Sequence, residues 1–157
     1  MAFYDLDVRF PVKREAMAGL GFSDFRMFSG SHALAESQSV DALRQAAKGR
    51  KAKLLLMSSF QADVGLLRDA KQEGKAFVFP ISMLLRANGI ERGKLMSRMA
   101  YLLKLCVQLG AHYVLASGAR NEYELKSPEE LVVIGEALGL SRDQALWAIS
   151  ETPKLFL

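Results

Sequence analysis

"FYDLDVRF" (residues 3–10) alternates strictly: Tyr4, Leu6, Val8 and Phe10 fall on one side of an extended strand, and Asp5, Asp7 and Arg9 on the other. Two apolar faces would suit a central strand of an open sheet covered by helices, and a charged face open to water would suit an edge. In a chain whose remaining strands read as wrapped by helices, the charged face instead points into a barrel. Charges there must be paired, and Arg9 stands beside two carboxylates that can do this at a cost in desolvation.

Working outward, further extended runs occur at DFRMFS (24–29), AKLLLMS (52–58), AFVFPIS (76–82) and HYVLAS (112–117). Between them lie helix-period segments, KREAMAGLG (13–21), SVDALRQAAKG (39–49), ADVGLLRDAKQEG (62–74), IERGKLMSRMAYLLKLCVQLG (90–110) and SPEELVVIGEALG (127–139), each closing on Gly. A last helix, SRDQALWAIS (141–150), opens on Ser141, and Pro153 limits its continuation. Ser127, Pro128 and Glu130 spell a capping box on a pre-set first turn. Strand and helix in alternation imply parallel strands with crossovers, so the class is α/β: a single domain over residues 1–157, forming a shortened or partial TIM-like (β/α) barrel of about five parallel strands surrounded by helices. The stretch GSHALAESQS (30–39) reads as a surface loop.

Composition fits a globular domain: 50% of residues are hydrophobic and 24% charged, enough for one core. Cys106, the single cysteine, lies in an apolar run and reads as a structural thiol in a reducing compartment. No run is long enough to span a membrane and the N-terminus has acids where a signal peptide has a basic leader, so the expected location is cytoplasmic, without a membrane partner. Residues 44–104 carry 13 Lys or Arg against 4 Asp or Glu, within a chain of net charge +4. Such a stripe suits a polyanion, and equally a set of solvated helix faces.

Motifs of catalysis are missing. The sequence has no glycine-rich phosphate loop and no Cys/His cluster with zinc spacing, and neither His32 nor His112 sits in a motif that marks a general base. Asp5 and Asp7 could hold a magnesium ion, but Arg9 competes for their charge, and the three read as a structural charge cluster. The polar stretch SGARNEYELK (117–126) at the end of the last strand is where α/β proteins keep functional groups. Arg120, Asn121 and Lys126 could meet phosphates and 2′-hydroxyls there, or could lie in a solvated turn paired with Glu122 and Glu124. Arg86, Arg92, Lys94 and Arg98 surround the start of the long helix, whose free amides favour anions; a solvated face is the alternative. Met83, Met96 and Met99 read as core.

The blocks DLDVR (5–9), FPISMLLRANGIERGKLMSRM (79–99), VLASGARNEYELKSPEELVVIGEALGL (114–140) and SETPKLFL (150–157) together resemble the archaeal ribonuclease P protein component 3 family, the counterpart of the eukaryal thirty-kilodalton subunit. The likeness covers residues 1–20 loosely and about 52–157 in continuous order. That family is similar in fold to metal-dependent phosphoesterases of the polymerase and histidinol phosphatase type, but Asp7 and Arg9 stand where such an enzyme would carry its His-x-His ligands. The resemblance therefore implies a noncatalytic subunit of ribonuclease P, with no catalytic residue and no metal or cofactor of its own. Mg2+ would serve the RNA catalyst that removes the 5′ leader of precursor tRNA. Implied partners are ribonuclease P RNA, the component 2 subunit and, through the holoenzyme, precursor tRNA. A small metal-dependent phosphoesterase of the related barrel superfamily is the alternative, and an enzyme acting on a small phosphorylated metabolite a third reading. Relatives are longer by about two strand-helix units, with the shortage around residues 28–52, so two barrel edges need cover, and a homodimer at that gap is expected.

Overall fold

The computed structural model describes residues 1–28 and 33–157. Among the described residues there are six parallel strands: β1 Tyr4–Val8, β2 Asp24–Met27, β3 Leu34–Ser37, β4 Leu54–Met57, β5 Ala76–Pro80 and β6 His112–Ala116. Eight helices accompany them: α1 Arg14–Leu20, α2 Val40–Lys48, α3 Val64–Gln72, α4 Ser82–Arg86, α5 Gly89–Leu109, α6 Pro128–Ala137, α7 Arg142–Ile149 and α8 Glu151–Lys154, with a 3-10 turn at Glu122–Glu124. The α/β class and the partial TIM-like barrel are as the alternation implies. The strand count of five is corrected to six. Part of the stretch read as a loop, Leu34–Ser37, is β3, paired residue by residue with β4 from Leu34 opposite Leu54 to Ser37 opposite Met57. Its short sequence LAES has no β-branched or aromatic residue to betray it, and pairing with a fully buried neighbour overrides the weak local preference. Gly30 and His32 of that stretch, and Ser29 at the end of the second strand-like run, lie outside the described residues.

Strands β3-β4-β5-β6 form one sheet in that order and β1-β2 a separate pair. What joins the two is the backbone just past β6. The Gly118 amide donates to the Asp7 carbonyl (2.8 Å) and the Arg9 amide to the Ala119 carbonyl (2.8 Å), making a parallel bridge between Val8 and Ala119. The strands thus run β3-β4-β5-β6-β1-β2, with β3 and β2 at the two ends. The arc opens between the second and third strands, where the sequence places the shortage. Buried strands explain the composition: every residue of LLLM in β4 and AFVFP in β5 is buried, as strands covered on both faces must be.

Local signals account for the helix ends. Ser127 accepts from the Glu130 amide while Glu130 accepts from the Ser127 amide, and Ser141 with Gln144 repeats the device in α7. Four of the five helix-closing glycines take positive φ; Gly49 is extended instead. Pro153 falls inside the short α8, because α7 has already ended at Ser150, one residue before α8 begins. Cys106 and Met99 are fully buried, Met83 and Met96 pack partly buried against the core, and burial pushes the Cys106 thiol up to about 12, which makes it inert at neutral pH.

Gly118 is the position where the seam leaves no choice of residue. Its φ is +60°, and a Cβ would stand 2.4 Å from the Pro80 Cβ and 2.9 Å from the Ser82 hydroxyl, which itself donates to the Gly118 carbonyl at 2.7 Å. Gly118→Ala is expected to cost about 3 kcal/mol, from backbone strain and overpacking together. Urea unfolding checks this: an unchanged midpoint would mean that the seam yields at no cost.

Candidate nucleic-acid interface

The stretch SGARNEYELK divides into two parts, and its first half is buried structure. Ser117, Gly118 and Ala119 are buried and make the seam with β1. The Ser117 amide donates to Asp5 Oδ1 (3.1 Å), and the Ser117 hydroxyl accepts from the Ala119 amide (3.2 Å). Next comes a folded knot. Asn121 Oδ1 accepts from the amides of Tyr123 and Glu124, capping the 3-10 turn. Glu124 Oε2 accepts from the Arg120 amide at 2.8 Å and from Arg86 Nη1 at 2.9 Å, tying the turn to the end of α4. Lys126 faces Glu130 at 3.9 Å. The polarity of this segment mainly satisfies its own backbone, and of its three candidate contacts the Arg120 side chain alone has no bonded partner among the described residues.

The charged face of β1 lies inside the arc. Asp5 and Asp7 are fully buried. Arg9 grips Asp7 with two bonds, Nε to Oδ1 at 2.8 Å and Nη2 to Oδ2 at 3.0 Å, and sends Nη1 to Glu36 Oε2 on β3 at 2.8 Å. Its guanidinium lies over the Phe28 ring at 4.9 Å. Of the three residues read as a charge cluster, Arg9 pairs with Asp7, whereas Asp5 makes no bond to Arg9. Instead its Oδ1 accepts two backbone amides, from Asp7 (3.2 Å) and Ser117, while Oδ2 is buried without a hydrogen-bond partner. Burial pushes the Asp5 carboxyl up to about 6, against the pull of its bonds from Ser117 and Asp7. Burial likewise pushes the Asp7 carboxyl up, against Arg9 bonded to both its oxygens. With both Asp7 oxygens on a guanidinium and one Asp5 oxygen on two amides, these acids present a poor ligand set for a cation; among the described residues no group of three or more His, Cys, Asp or Glu could hold a metal. Glu36 and Phe28 were not legible as partners of Arg9, since they come from a mis-assigned loop and the end of β2.

Candidate cations divide by what they touch. Arg92 donates to the carbonyls of Leu84 and Ala87 and so closes the C-terminal end of α4. Lys94 makes a loose i,i+3 pair with Glu91 at 3.3 Å. Elsewhere in residues 44–104, Arg44 and Lys48 face Asp69, Lys71 binds the Leu109 carbonyl, and Lys75 binds the carbonyls of Gly49 and Ala52. With Arg86 these take seven of the 13 bases, and the other six, Arg50, Lys51, Lys53, Arg68, Arg98 and Lys104, are all exposed and unpaired among the described residues. Arg50, Lys51 and Lys53 form a knot in the α2–β4 turn that residue-by-residue selection missed, although three cations in four positions was a readable signal.

An incomplete parallel (β/α) barrel with an inward, self-paired charge cluster and a surplus of free cations outside defines a class: a barrel that has kept its scaffold while its interior acids are engaged by an arginine and by backbone amides. A family model described as "RNase P subunit p30" matches residues 35–157, and the chain belongs to that family. Ribonuclease P protein component 3 of Methanosarcina acetivorans is 34% identical over 89 residues, 57% of this chain and 37% of that protein. Its counterpart from Thermococcus gammatolerans is 29% identical over 118 residues, 75% of this chain and 52% of that protein. The matched part thus spans about 37% to 52% of the length of these relatives. Among solved structures, a chain in a cryo-EM structure of archaeal ribonuclease P with mature tRNA superposes with a TM-score of 0.69 at 20% identity, over 99% of this chain and 79% of that one. Ochratoxinase from A. niger superposes with a TM-score of 0.59 at 19% identity, over 78% of this chain and 29% of that one, a likeness of fold.

Asp5 gives a pH test of the buried cluster. A carboxyl raised from 3.8 to about 6 in the folded state costs nothing while protonated in both states, below about pH 4. The cost grows as pH rises through 6 and is constant above, at about 3 kcal/mol for two pKa units. Asp5→Asn is expected to raise unfolding free energy at pH 7.5 and to leave it near wild type at pH 4. Chemical denaturation at the two pH values decides; equal effects at both would remove the ionisation argument.

Proposed function

We propose that the chain is a noncatalytic, RNA-binding protein subunit of ribonuclease P, supporting the catalytic RNA in removing the 5′ leader of precursor tRNA. Its partners in this reading are ribonuclease P RNA and the component 2 subunit, and precursor tRNA is reached through the holoenzyme. Mg2+ serves the RNA and not this chain.

One observation carries the reading: the acids that could do chemistry are engaged, Asp7 by Arg9 and Asp5 by two amides, whereas exposed cations are left without partners among the described residues. Phosphate contacts need such side chains, free and solvated. Of the residues picked from sequence, Arg98 and Arg120 suit direct contact and Lys94 is only loosely held. Arg86, Arg92, Asn121 and Lys126 would act through the turn and helix end they hold together. Arg50, Lys51 and Lys53 join the contact set. Metal-dependent phosphoester hydrolysis is the weaker reading, since the guanidinium would have to leave Asp7 for a metal to enter.

Reconstituted cleavage of precursor tRNA tests this. Adding the chain to the RNA and the component 2 subunit is expected to raise the cleavage rate at limiting Mg2+, and the chain alone to cleave nothing with Mg2+ or Mn2+. Turnover by the isolated chain, abolished by Asp7→Asn, would install the hydrolase reading instead. For binding, Arg50→Ala, Lys51→Ala, Arg98→Ala and Arg120→Ala are each expected to weaken RNA affinity and to reduce the slope of log K against log salt by about one if they touch a phosphate. An unchanged slope in the quadruple variant would place the RNA elsewhere. The ends of the arc, β2 and β3, carry the proposal of a homodimer for the purified chain. Sedimentation equilibrium showing only monomer at high concentration would end it.

A further inference from the structure

The knot that follows β6 carries a ring that the knot itself does not use. Tyr123 is 84% exposed, against 56% for Tyr101 and 60% for Trp147. Its backbone, by contrast, is held from several sides. Asn121 Oδ1 accepts from the amides of Tyr123 (3.0 Å) and Glu124 (3.2 Å), and Glu124 Oε2 accepts from the Arg120 amide (2.8 Å) and from Arg86 on α4 (2.9 Å). Among the described residues the Tyr123 hydroxyl makes no hydrogen bond, and the ring neither joins an aromatic pair nor packs against the core. Isolated exposed apolar residues are ordinary. A ring on an immobilised turn is a different case, because polar bonds have already met the entropy of fixing the turn and a ligand meets a preorganised surface.

Place and charge say what the ring meets. The parallel bridge between Val8 and Ala119 sets Arg120 level with Arg9 at the C-terminal ends of β6 and β1, the rim where parallel barrels meet their ligands. The Arg120 guanidinium is exposed, has no bonded partner among the described residues, and its charge is felt at Asp7. Glu122, exposed and likewise unpaired, adjoins Tyr123 and repels any phosphate drawn onto the turn itself. The arrangement therefore asks for a ligand with a flat, uncharged face for Tyr123 and an anionic group on the side of Arg120. A nucleotide has both. A base within a duplex already has its two faces covered by its neighbours, so the nucleotide is an unpaired one, in a loop, bulge or single strand. Asn121, Glu122 and Glu124 around the ring leave a protein partner no apolar patch to bury there.

We propose that Tyr123 is a stacking platform for one unpaired base of an RNA, with Arg120 on an adjoining phosphate and with Asn121, Glu124 and Arg86 as the positioning residues that hold the ring at the rim. The inference rests on the reading of the chain as an RNA-binding subunit, and adds to its ionic contacts one that selects unpaired over paired nucleotides.

A ribonuclease P RNA transcript, titrated at several salt concentrations, separates this contact from the ionic ones. Tyr123→Ala is expected to weaken binding about tenfold and to leave the slope of log K against log salt unchanged, because stacking releases no counterions. Tyr123→Phe keeps the ring and is expected to stay within about twofold of wild type, whereas Tyr123→Leu loses as much as alanine does. The position is exposed, and an unchanged urea midpoint shows that the variants fold. Trp147 is the only tryptophan of the chain, so Tyr123→Trp in a Trp147→Phe background gives a single indole, whose fluorescence is expected to fall as a base stacks on it. RNA binding with Tyr123→Ala within about twofold of wild type, or with leucine as good as tyrosine, would overturn the stacking while leaving the subunit reading intact. Cleavage stimulation lost in Tyr123→Ala at unchanged RNA affinity would assign the ring to a protein neighbour and also overturn it. A wild-type chain that binds no RNA and does not raise the cleavage rate would overturn both readings.

Discussion

A barrel that stops at six strands must be held together where its first strand meets its last. Among the described residues, two backbone bonds, the Gly118 amide to the Asp7 carbonyl and the Arg9 amide to the Ala119 carbonyl, carry the ladder from β6 into β1, and the Ser117 amide to Asp5 Oδ1 reinforces them. Much of what is distinctive in residues 117–119 serves this junction, and the turn that follows is tied down behind it. Gly118 must be glycine for the backbone to turn beside Pro80, Ser117 must supply an amide and a hydroxyl, and Glu124 must anchor the exit at Arg120 and Arg86. A short seam is weak in backbone bonds, and the buried carboxylates reinforce it. Asp5 spans β1 and β6 with one oxygen, and Asp7 fixes Arg9, which reaches across to Glu36 on β3. Arg9 therefore bridges the open side of the arc with a side chain where a complete barrel would have strands.

That arrangement has a chemical consequence. A barrel interior lined with acids is what a metal-dependent hydrolase needs, and the same position is used here for closure. Arg9 cannot both hold Asp7 to Glu36 and yield Asp7 to a cation, because removing one partner of a buried pair leaves a charge that costs several kcal/mol. Structural closure and cation binding would compete for the same carboxylate, and in this structure Arg9 holds it with bonds of 2.8 and 3.0 Å.

The fold was legible where its causes are local. Alternation in DLDVR announced an inward charged face, the Ser127 and Ser141 caps fixed two helices, and the buried runs in β4 and β5 were long and apolar enough to stand without context. Leu34–Ser37 was not legible, because LAES becomes a strand only by pairing with β4. The candidate interface was read less well for a related reason. Basic residues look alike in sequence, but a guanidinium spent on a helix end, as Arg92 is on Leu84 and Ala87, differs from a free one such as Arg98 six positions later. The distinction lies in carbonyl groups that a sequence leaves implicit: each helix end exposes up to four, and several of the cations near helix ends here are taken up by them.

Subtracting those spent cations changes the character of the surface. A stripe of 13 bases suggests one broad electropositive band, yet the exposed remainder is discrete: the α2–β4 turn with Arg50, Lys51 and Lys53, Arg68 on α3, and Arg98 and Lys104 on α5. In the proposed reading, separate points of charge suit the phosphates of a folded RNA, whose backbone approaches a protein at several places, better than one extended strand that needs a continuous track. A rigid scaffold is then a requirement, since points of contact fixed on different helices keep their spacing only if the arc beneath them does. The interactions that hold Arg44 to Asp69, Lys71 to the end of α5 and Lys75 to the α2–β4 turn do this directly: they use three of the 13 bases to tie α2, α3 and α5 together beneath the cations left outside.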